Sequence, residues 1–357
     1  MNKQRIVAGG RKAASGAKRQ DPIPLSRART LIPFLDFGYQ HRLSVDRWLR
    51  ECQLPDFLHE DPDCFIPTSA RWSYISLMAR ESGRDDLGLR IAFDNALDMI
   101  GPRVLHRVLQ SSTLEQGIDE FRRCITGESS GTAVTTSQKR GTATLNLKRT
   151  FGQSTPGFRQ TEWQSLIVLV KIVQLFAGRR WQPEKMSLRS SQPLPPLAAG
   201  LFPDVRFLVN QKNSSISFSS DLLGLGPCDY ASEVAAKLEP VEAGVGPIEV
   251  ATDFPDSLRR LLATYSRDGY PSLALFSGIA GISARTMQRR LSDHGLCFSK
   301  LVDRVRFDVA TRLLRLTDAS SLEIAFEIGY KDPSNFARAF RRLAGCSPRE
   351  YRSQLAA

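Results

Sequence analysis

One stretch near the carboxyl end of the chain, residues 283–293, carries side chains that could read the base edges of a nucleic acid. Arg285, Gln288, Arg289 and Ser292 recur at the spacing i, i+3, i+4, i+7, which places them on one face of a helix. The guanidinium group of arginine forks onto guanine, and the amide of glutamine pairs with adenine. The chemistry that this stretch indicates is therefore hydrogen bonding to bases and to backbone phosphates.

A second stretch, residues 332–343, repeats this arrangement. Phe336 and Phe340 follow Met287 and Leu291 by 49 positions, and both pairs are predicted to point into a core. Any amphipathic helix has a polar face, but two copies in matched register favour a reader of nucleic acid. Because this helix gathers its arginines late, we expect more backbone anchoring from it and more base readout from the first. The polar residues predicted to bind DNA on this second helix are Ser334, Asn335, Arg338, Arg341 and Arg342.

Each of these stretches follows a turn with the features of a helix-turn-helix motif. A small residue, Ser277 or Ala325, stands four positions before a glycine, Gly281 or Gly329. Glycine adopts a positive φ without strain, and the small residue lets two helices approach closely. A long helix over residues 298–315 is predicted to join the two units.

Local capping signals mark where these helices begin. Ser283 and Asp332 precede the two reading helices, and Pro333 suits a first helical position, where a missing N–H costs nothing. Ser320 and Glu323 have the spacing of a capping box. The carboxyl-terminal region is therefore predicted to be all-α.

Charge is distributed unevenly along the 357 residues, whose formal net charge is +12. Residues 1–20 carry six Lys/Arg and no acids, and residues 256–357 carry 17 Lys/Arg against 10 Asp/Glu, which leaves −1 for the remainder. A basic carboxyl-terminal domain suits a polyanionic partner. The predicted organisation is a disordered basic tail over 1–24, an effector-sensing or dimerisation domain over 25–239, a Gly/Pro-rich linker over 240–255 and a DNA-binding domain over 256–357.

The middle of the chain has the pattern of an α+β domain. It contains no catalytic or phosphate-binding motif, so we predict that the chain is not an enzyme. A pocket for a small molecule would need no such motif, because pockets are mostly apolar and assembled from distant residues. The predicted elements are helices over 41–54, 67–82 and from 113, a hairpin of 131–137 with 141–149, a central helix over 161–177, and short strands over 186–190, 205–209 and 215–219.

Cysteine, histidine and hydropathy patterns argue against several other classes of protein. The six cysteines form no CxxC pair and the four histidines are scattered, so we expect no metal site and no cofactor. No apolar run approaches the roughly 18 residues of a membrane span. The amino terminus lacks the apolar core of a secretory signal, so we expect a cytoplasmic protein without a membrane partner.

A family signature is visible within residues 256–357. It is carried by residues 283–291, by residues 345–352 and by residues 324–342, which include Gly329-Tyr330-Lys331-Asp332-Pro333-Ser334-Asn335-Phe336. On these residues the region resembles the DNA-binding domain of AraC/XylS-type transcription regulators. The resemblance implies two helix-turn-helix units, joined by the long helix, that read successive major grooves on one face of the DNA.

The middle region shows a looser resemblance, carried by short motifs. These are Asp61-Pro62-Asp63, Ile66-Pro67, Leu87-Gly88-Leu89-Arg90 and Trp181-Gln182-Pro183. On these motifs the region is similar to the α+β effector-binding domains of regulators grouped with ornithine-utilisation activators. The resemblance implies ligand sensing and dimerisation, and it identifies no ligand.

The predicted fold class is an α+β amino-terminal effector domain followed by an all-α carboxyl-terminal domain with two helix-turn-helix units. The hypothesis is a sequence-specific DNA-binding transcription regulator, an activator that responds to a small-molecule effector. Its expected partners are double-stranded DNA, the effector, RNA polymerase and a second copy in a homodimer. One alternative is a constitutive regulator whose amino-terminal domain only dimerises. The other is a DNA-repair methyl acceptor, which needs a clustered, activated cysteine and is disfavoured by the spread cysteines.

Overall fold

The computed structural model describes residues 21–238, 251–266 and 269–355. Residues 1–20 of the predicted basic tail (1–24) and residues 240–250 of the predicted linker (240–255) lie outside these residues. The helices of the described residues are α1 (Ile32–Gln40), α2 (Val45–Glu51), α3 (Thr68–Glu81), α4 (Leu87–Asn95), α5 (Pro102–Leu109), α6 (Leu114–Glu128), α7 (Phe158–Ala177), α8 (Pro196–Leu201), α9 (Asp229–Ala235), α10 (Phe254–Thr264), α11 (Leu273–Ile279), α12 (Ala284–Asp293), α13 (Phe298–Leu316), α14 (Ser321–Glu327), α15 (Pro333–Ala344) and α16 (Pro348–Leu355).

The strands of the described residues form two sheets in the amino-terminal domain. β1 and β2 pair antiparallel, and the other five form a sheet in the order β3-β4-β7-β5-β6, in which only β5 and β6 are parallel. This mixture of helices and mainly antiparallel strands confirms the predicted α+β class. The strands are β1 (Leu25–Arg27), β2 (Phe65–Pro67), β3 (Thr132–Lys139), β4 (Thr142–Arg149), β5 (Lys185–Ser187), β6 (Arg206–Leu208) and β7 (Ser214–Ser219).

The β3–β4 hairpin has the predicted position and a tighter turn than the sequence indicated. Lys139 pairs with Thr142, so only Arg140 and Gly141 connect the strands. Both have positive φ, 49° and 76°, as a type I′ turn requires. Two residues in the left-handed region match the twist of the strands and so determine their register.

Helix α7 packs between the sheet and α4, and it is buried on most sides as predicted. At its approach to α4, the amide of Gly88 donates to Gln160 Oε1 at 2.7 Å. A Cβ atom at residue 88 would lie 2.1 Å from the carbonyl oxygen of Gln160. The close contact between these two helices therefore requires glycine at position 88.

The helix predicted over 41–54 is shorter in the structure, where only α2 (Val45–Glu51) lies within this range. Helix α1 ends at Gln40, and α2 begins only at Val45. Between them, Arg42 has a φ of 55°, in the left-handed region where a right-handed helix cannot continue. The apolar spacing of this stretch reflects α2 alone, which buries Val45, Trp48 and Leu49.

The carboxyl-terminal domain has two hydrophobic cores joined by α13. Leu301 and Val305 of this helix lie in the core around the first helix-turn-helix unit. Ala310 and Leu314, further along, lie in the core around the second. One continuous helix therefore supports both units, which confirms the predicted all-α architecture.

The edges of the predicted domains shift where described residues allow a comparison. Helix α10 begins at Phe254, with the Asp253 carboxylate accepting from the amide of Asp256 at 2.8 Å, so the last two residues of the predicted linker are helical. Ile23, assigned to the disordered tail, is buried in the core of the carboxyl-terminal domain, and its amide donates to Ser257 Oγ at 3.0 Å. Ile23 belongs to this domain because its side chain packs in the core beside α10 and its amide donates to a residue of that helix.

The Gly88→Ala substitution should destabilise the protein by about 1–3 kcal/mol, because the added methyl group forces α4 away from α7. Urea unfolding followed by circular dichroism measures this change. Gly152→Ala is the matched control, since a Cβ atom there meets nothing within 4 Å, and it should change stability by less than about 0.5 kcal/mol. Equal stability of the two variants would contradict the close-packing argument.

Candidate nucleic-acid interface

Helix α12, the first predicted reading helix, is oriented by its cap and its apolar side. Ser283 Oγ accepts from the amide of Thr286 at 3.2 Å, so Ser283 caps the start of the helix at the predicted position. Met287 and Leu291 are fully buried in the first core. The residues that this orientation leaves exposed include Arg285, Gln288, Arg289 and Ser292.

The side chains of this exposed face are available to a ligand. Within the described part of the chain, Arg285, Gln288 and Arg289 make no side-chain hydrogen bond, ion pair or ring contact. The neighbouring Arg290 differs, because its guanidinium lies 3.7 Å from the ring centroid of Phe254 and the side chain is half-buried. The predicted readers are therefore separated from a structural arginine on the same helix.

Helix α15, the second predicted reading helix, is placed by the same physical means. The Asp332 carboxylate accepts from the amide of Ser334 at 2.8 Å, and Pro333 occupies the first helical position. Phe336 and Phe340 are buried in the second core. The residues predicted to bind DNA on this helix are all exposed: Ser334, Asn335, Arg338, Arg341 and Arg342.

The polar side chains of α15 already have partners within the protein. Arg338 Nη2 donates to Asn335 Oδ1 at 2.5 Å on the same helix. Arg342 forms an ion pair of 2.9 Å with Asp303 of α13, and Arg341 lies 3.8 Å from a carboxylate oxygen on α16. These contacts hold the arginines in place, whereas Arg285 and Arg289 of α12 have no such partner among the described residues.

The turns before the two reading helices have the predicted glycine conformation. Gly281 has a φ of 69° and Gly329 a φ of 77°. After the second turn glycine, the amide of Tyr330 donates to the carbonyl of Ala325 at 2.9 Å, and the Ile282 amide does the same to Ser277 at 3.0 Å. Equivalent backbone hydrogen bonds therefore close both turns, in agreement with the repeat seen in the sequence.

Arg306 of α13 links the two helix-turn-helix units and was not identified from the sequence. Its guanidinium lies 4.5 Å from the ring centroid of Tyr270, before α11, and 4.6 Å from that of Tyr330, in the second turn. Its Nη2 also donates to the carbonyl of Gly329 at 3.4 Å. These three residues are far apart in the sequence and follow no motif, so only the folded chain reveals the contact.

The amino-terminal domain contacts the carboxyl-terminal domain mainly through β1 and β2, which pack against α10 of that domain. The amide of Phe65 donates to Thr264 Oγ1 at 3.1 Å, and the Tyr265 hydroxyl donates to the carbonyl of Gln53 at 2.8 Å. The guanidinium of Arg260 in α10 lies 5.4 Å from the ring centroid of Phe65 in β2. Helix α10 therefore carries contacts from both domains.

The described residues lack two further features. They contain no group of three or more His, Cys, Asp or Glu side chains placed to hold a metal ion. None of their helices has both the length and the apolar character needed to cross a membrane.

Two protein-family models match the chain. The first, described as a helix-turn-helix domain, matches residues 276–354 and so includes both predicted reading helices. The second, described as the amino-terminal arabinose-binding domain of AraC transcription regulator, matches residues 43–226, just over half of the chain.

Individual relatives are also named as regulators. The chain is 26% identical over 341 residues to the HTH-type transcriptional regulator VirS of Mycobacterium tuberculosis, covering 92% of this chain and 96% of VirS. It is 34% identical over 111 residues to the ornithine utilization regulator of Pseudomonas aeruginosa, covering 31% and 32%. Among solved structures, the transcriptional regulator CdpR from Pseudomonas aeruginosa is 17% identical, with coverage of 86% and 96% and a TM-score of 0.37.

Replacing Arg306 with lysine should lower the free energy of unfolding by about 1 kcal/mol, because the planar guanidinium stacks on two rings and an ammonium group cannot. Thermal unfolding of the full chain measures the effect. Arg312→Lys is the control on the same helix, since no contact of the Arg312 side chain is found among the described residues. If both variants unfold at the wild-type temperature, Arg306 does not stabilise the arrangement of the two units.

Proposed function

The chain belongs to the AraC family of transcription regulators, and from this premise we propose how it reads DNA and what controls it. It is a sequence-specific DNA-binding regulator and an activator that responds to a small-molecule effector. The observation that carries the proposal is the pair of capped helices, α12 and α15, whose buried residues turn two polar faces outward. The alternative of a constitutive regulator is not favoured, because the family model over residues 43–226 describes a ligand-binding domain.

We propose that α12 supplies most of the base readout. Arg285, Gln288 and Arg289 are exposed and have no intramolecular partner among the described residues, so they lose no internal contact on binding. Arginine and glutamine are also the side chains that form bidentate hydrogen bonds to guanine and adenine in the major groove. Ser292, one turn further on, is placed to reach a base or a phosphate.

We propose that α15 mainly anchors the DNA backbone. Arg341 and Arg342 lie in its last turn, where they pair with carboxylates of neighbouring helices. An arginine held in this way keeps its remaining N–H groups in a constant position, which suits contacts to phosphates. Ser334, Asn335 and Arg338 nearer the start of the helix complete the proposed contact surface.

Partners and domain limits complete the proposal. Double-stranded DNA and a small-molecule effector follow from the two matched domain types. RNA polymerase is the partner proposed for activation, and a homodimer formed by the amino-terminal domain is proposed as the assembly. The proposed division keeps the effector domain at 25–239 and the DNA-binding domain from 256 onward, extended by Ile23 and by the start of α10.

The substitution Arg289→Ala should weaken binding to the preferred site by about 1–3 kcal/mol and relax discrimination at one base pair. Site selection from genomic DNA, followed by fluorescence anisotropy on selected and random duplexes, measures both effects. Arg47→Ala on α2 is the control, because it removes one exposed charge from the other domain. An unchanged ratio of specific to random binding in Arg289→Ala would show that Arg289 is not a reader.

The substitution Arg341→Ala should weaken binding to selected and random DNA by the same factor. The plot of log affinity against log salt should become shallower by about one, because one phosphate contact and its counterion release are lost. Anisotropy titrations at several salt concentrations measure the slope. Loss of discrimination at a particular base would instead identify Arg341 as a reader and contradict the proposed division between α12 and α15.

A further inference from the structure

A small internal cavity lies in the amino-terminal domain, between α3, α6, α7 and the β3–β4 hairpin. Its volume is about 60 Å³. Most of its wall is apolar, with Phe121, Leu147 and Val168 among the lining residues. Arg71 and Glu128 add one positive and one negative side chain to this wall. A mostly apolar cavity with a few polar groups is the usual form of a small-molecule site.

The charge of Arg71 has no carboxylate partner in the described part of the chain. The residue is only 6% exposed. Its Nη1 donates to Gln164 Oε1 at 3.1 Å, and its Nε has no hydrogen-bond acceptor. Burial, aided by the second buried cation Arg149, lowers the pKa of Arg71 to about 9, so the guanidinium is still charged at neutral pH.

Of the two buried carboxylates nearest this cavity, Glu162 is engaged elsewhere. Glu162 accepts from the backbone amides of Arg189 and Ser190 at 2.7 and 3.3 Å and from the Ser214 hydroxyl. Glu128 lines the same cavity, and its Oε2 has no hydrogen-bond partner among the described residues. Burial raises the pKa of Glu128, and the nearby charges of Arg27 and Arg29 oppose this shift.

An unpaired buried charge is expensive, and a hydrogen-bonded anion beside it offsets that cost. The guanidinium group also has the fork geometry that matches a carboxylate. The vacant hydrogen-bonding capacity of Arg71 therefore selects for an anionic ligand, and the apolar wall selects for an aliphatic body.

We propose that this cavity is the effector site and that it takes a short aliphatic carboxylic acid, whose carboxylate pairs with Arg71. The proposal rests on the effector response stated under Proposed function. A cavity of about 60 Å³ has room for only a small ligand, on the order of four to six non-hydrogen atoms. This range corresponds to acids from acetate to butyrate.

The cavity wall also includes residues that connect to the DNA-binding domain. Ser129 lies on the wall, and its hydroxyl is 3.1 Å from that of Ser26 in β1. Just before Ser26 in the chain, Ile23 and Leu25 are buried in the core beneath α12. A ligand that moves or orders this wall therefore acts on the strand that touches the DNA-binding domain.

The test uses the full-length protein in a carboxylate-free buffer. Acetate, propionate and butyrate are added one at a time, and the melting temperature and the heat of binding are recorded. Butyramide and butylamine, which have similar shape without the negative charge, serve as ligand controls. The expected result is a concentration-dependent rise in melting temperature with at least one acid and none with the amide or the amine.

Two variants examine the cavity itself. Arg71→Met should weaken acid binding at least tenfold, while Val168→Phe should block the cavity and keep the charge. Arg179→Met is the control, because Arg179 lines a separate open cleft beside Lys171 and Tyr230. If Arg71→Met fails to fold, Val168→Phe still decides the location of the site. Acid binding that survives in a folded Arg71→Met or Val168→Phe variant overturns the proposal, as does its loss in Arg179→Met alone.

DNA affinity measured on the same protein separates the two proposals. If specific DNA binding is present and no acid stabilises the protein, the assignment of the cavity is wrong and the regulator function is unaffected. If specific DNA binding itself is absent, the proposed function is wrong whatever the acids do. If butyrate both binds and changes the affinity for the selected site, the cavity is the effector site.

Discussion

The strand β1 is the element on which the connection between the two domains depends. Ser26 in this three-residue strand contacts the hydroxyls of Thr68 and Ser129 at 2.9 and 3.1 Å within the amino-terminal domain. The adjoining Ile23 and Leu25 are buried in the core of the other domain. A strand this short gains little from its own pairing, so it stays ordered because both domains supply partners for its polar and apolar groups. Any change in one domain that alters this strand must alter its packing against the other.

Within the DNA-binding domain, α13 sets the distance and angle between the two reading helices. It contributes to both hydrophobic cores, and its Arg306 stacks on Tyr270 from the first unit and Tyr330 from the second. A protein that reads two successive grooves needs this kind of rigid support, because a small change in angle would take one helix out of register with the DNA. The shared helix through its apolar side chains, and Arg306 through its contacts with two tyrosine rings, both hold the two units at a constant angle.

Local features of the DNA-binding domain were predicted closely, because they depend on neighbouring residues. The caps at Ser283 and Asp332, the Ser320 capping box and the glycine turns all have the predicted form. The amino-terminal domain was predicted less well. The strands β1 and β2, which form a separate two-stranded sheet, were not predicted. The helix over 41–54 was predicted too long, because Arg42 and Gln53, before and after α2, have positive φ.

The sequence by itself determined the family, the fold class and the direction in which each reading helix faces, because apolar spacing decides which side of a helix is buried. Only the tertiary structure decided which polar residues have partners. Among the described residues, it leaves Arg289 unpaired, joins Arg342 to Asp303, and buries Arg71 without a counter-charge. The physical reason is distance along the chain: an ion pair or a cavity brings together residues from separate helices, and no spacing within one helix records that contact.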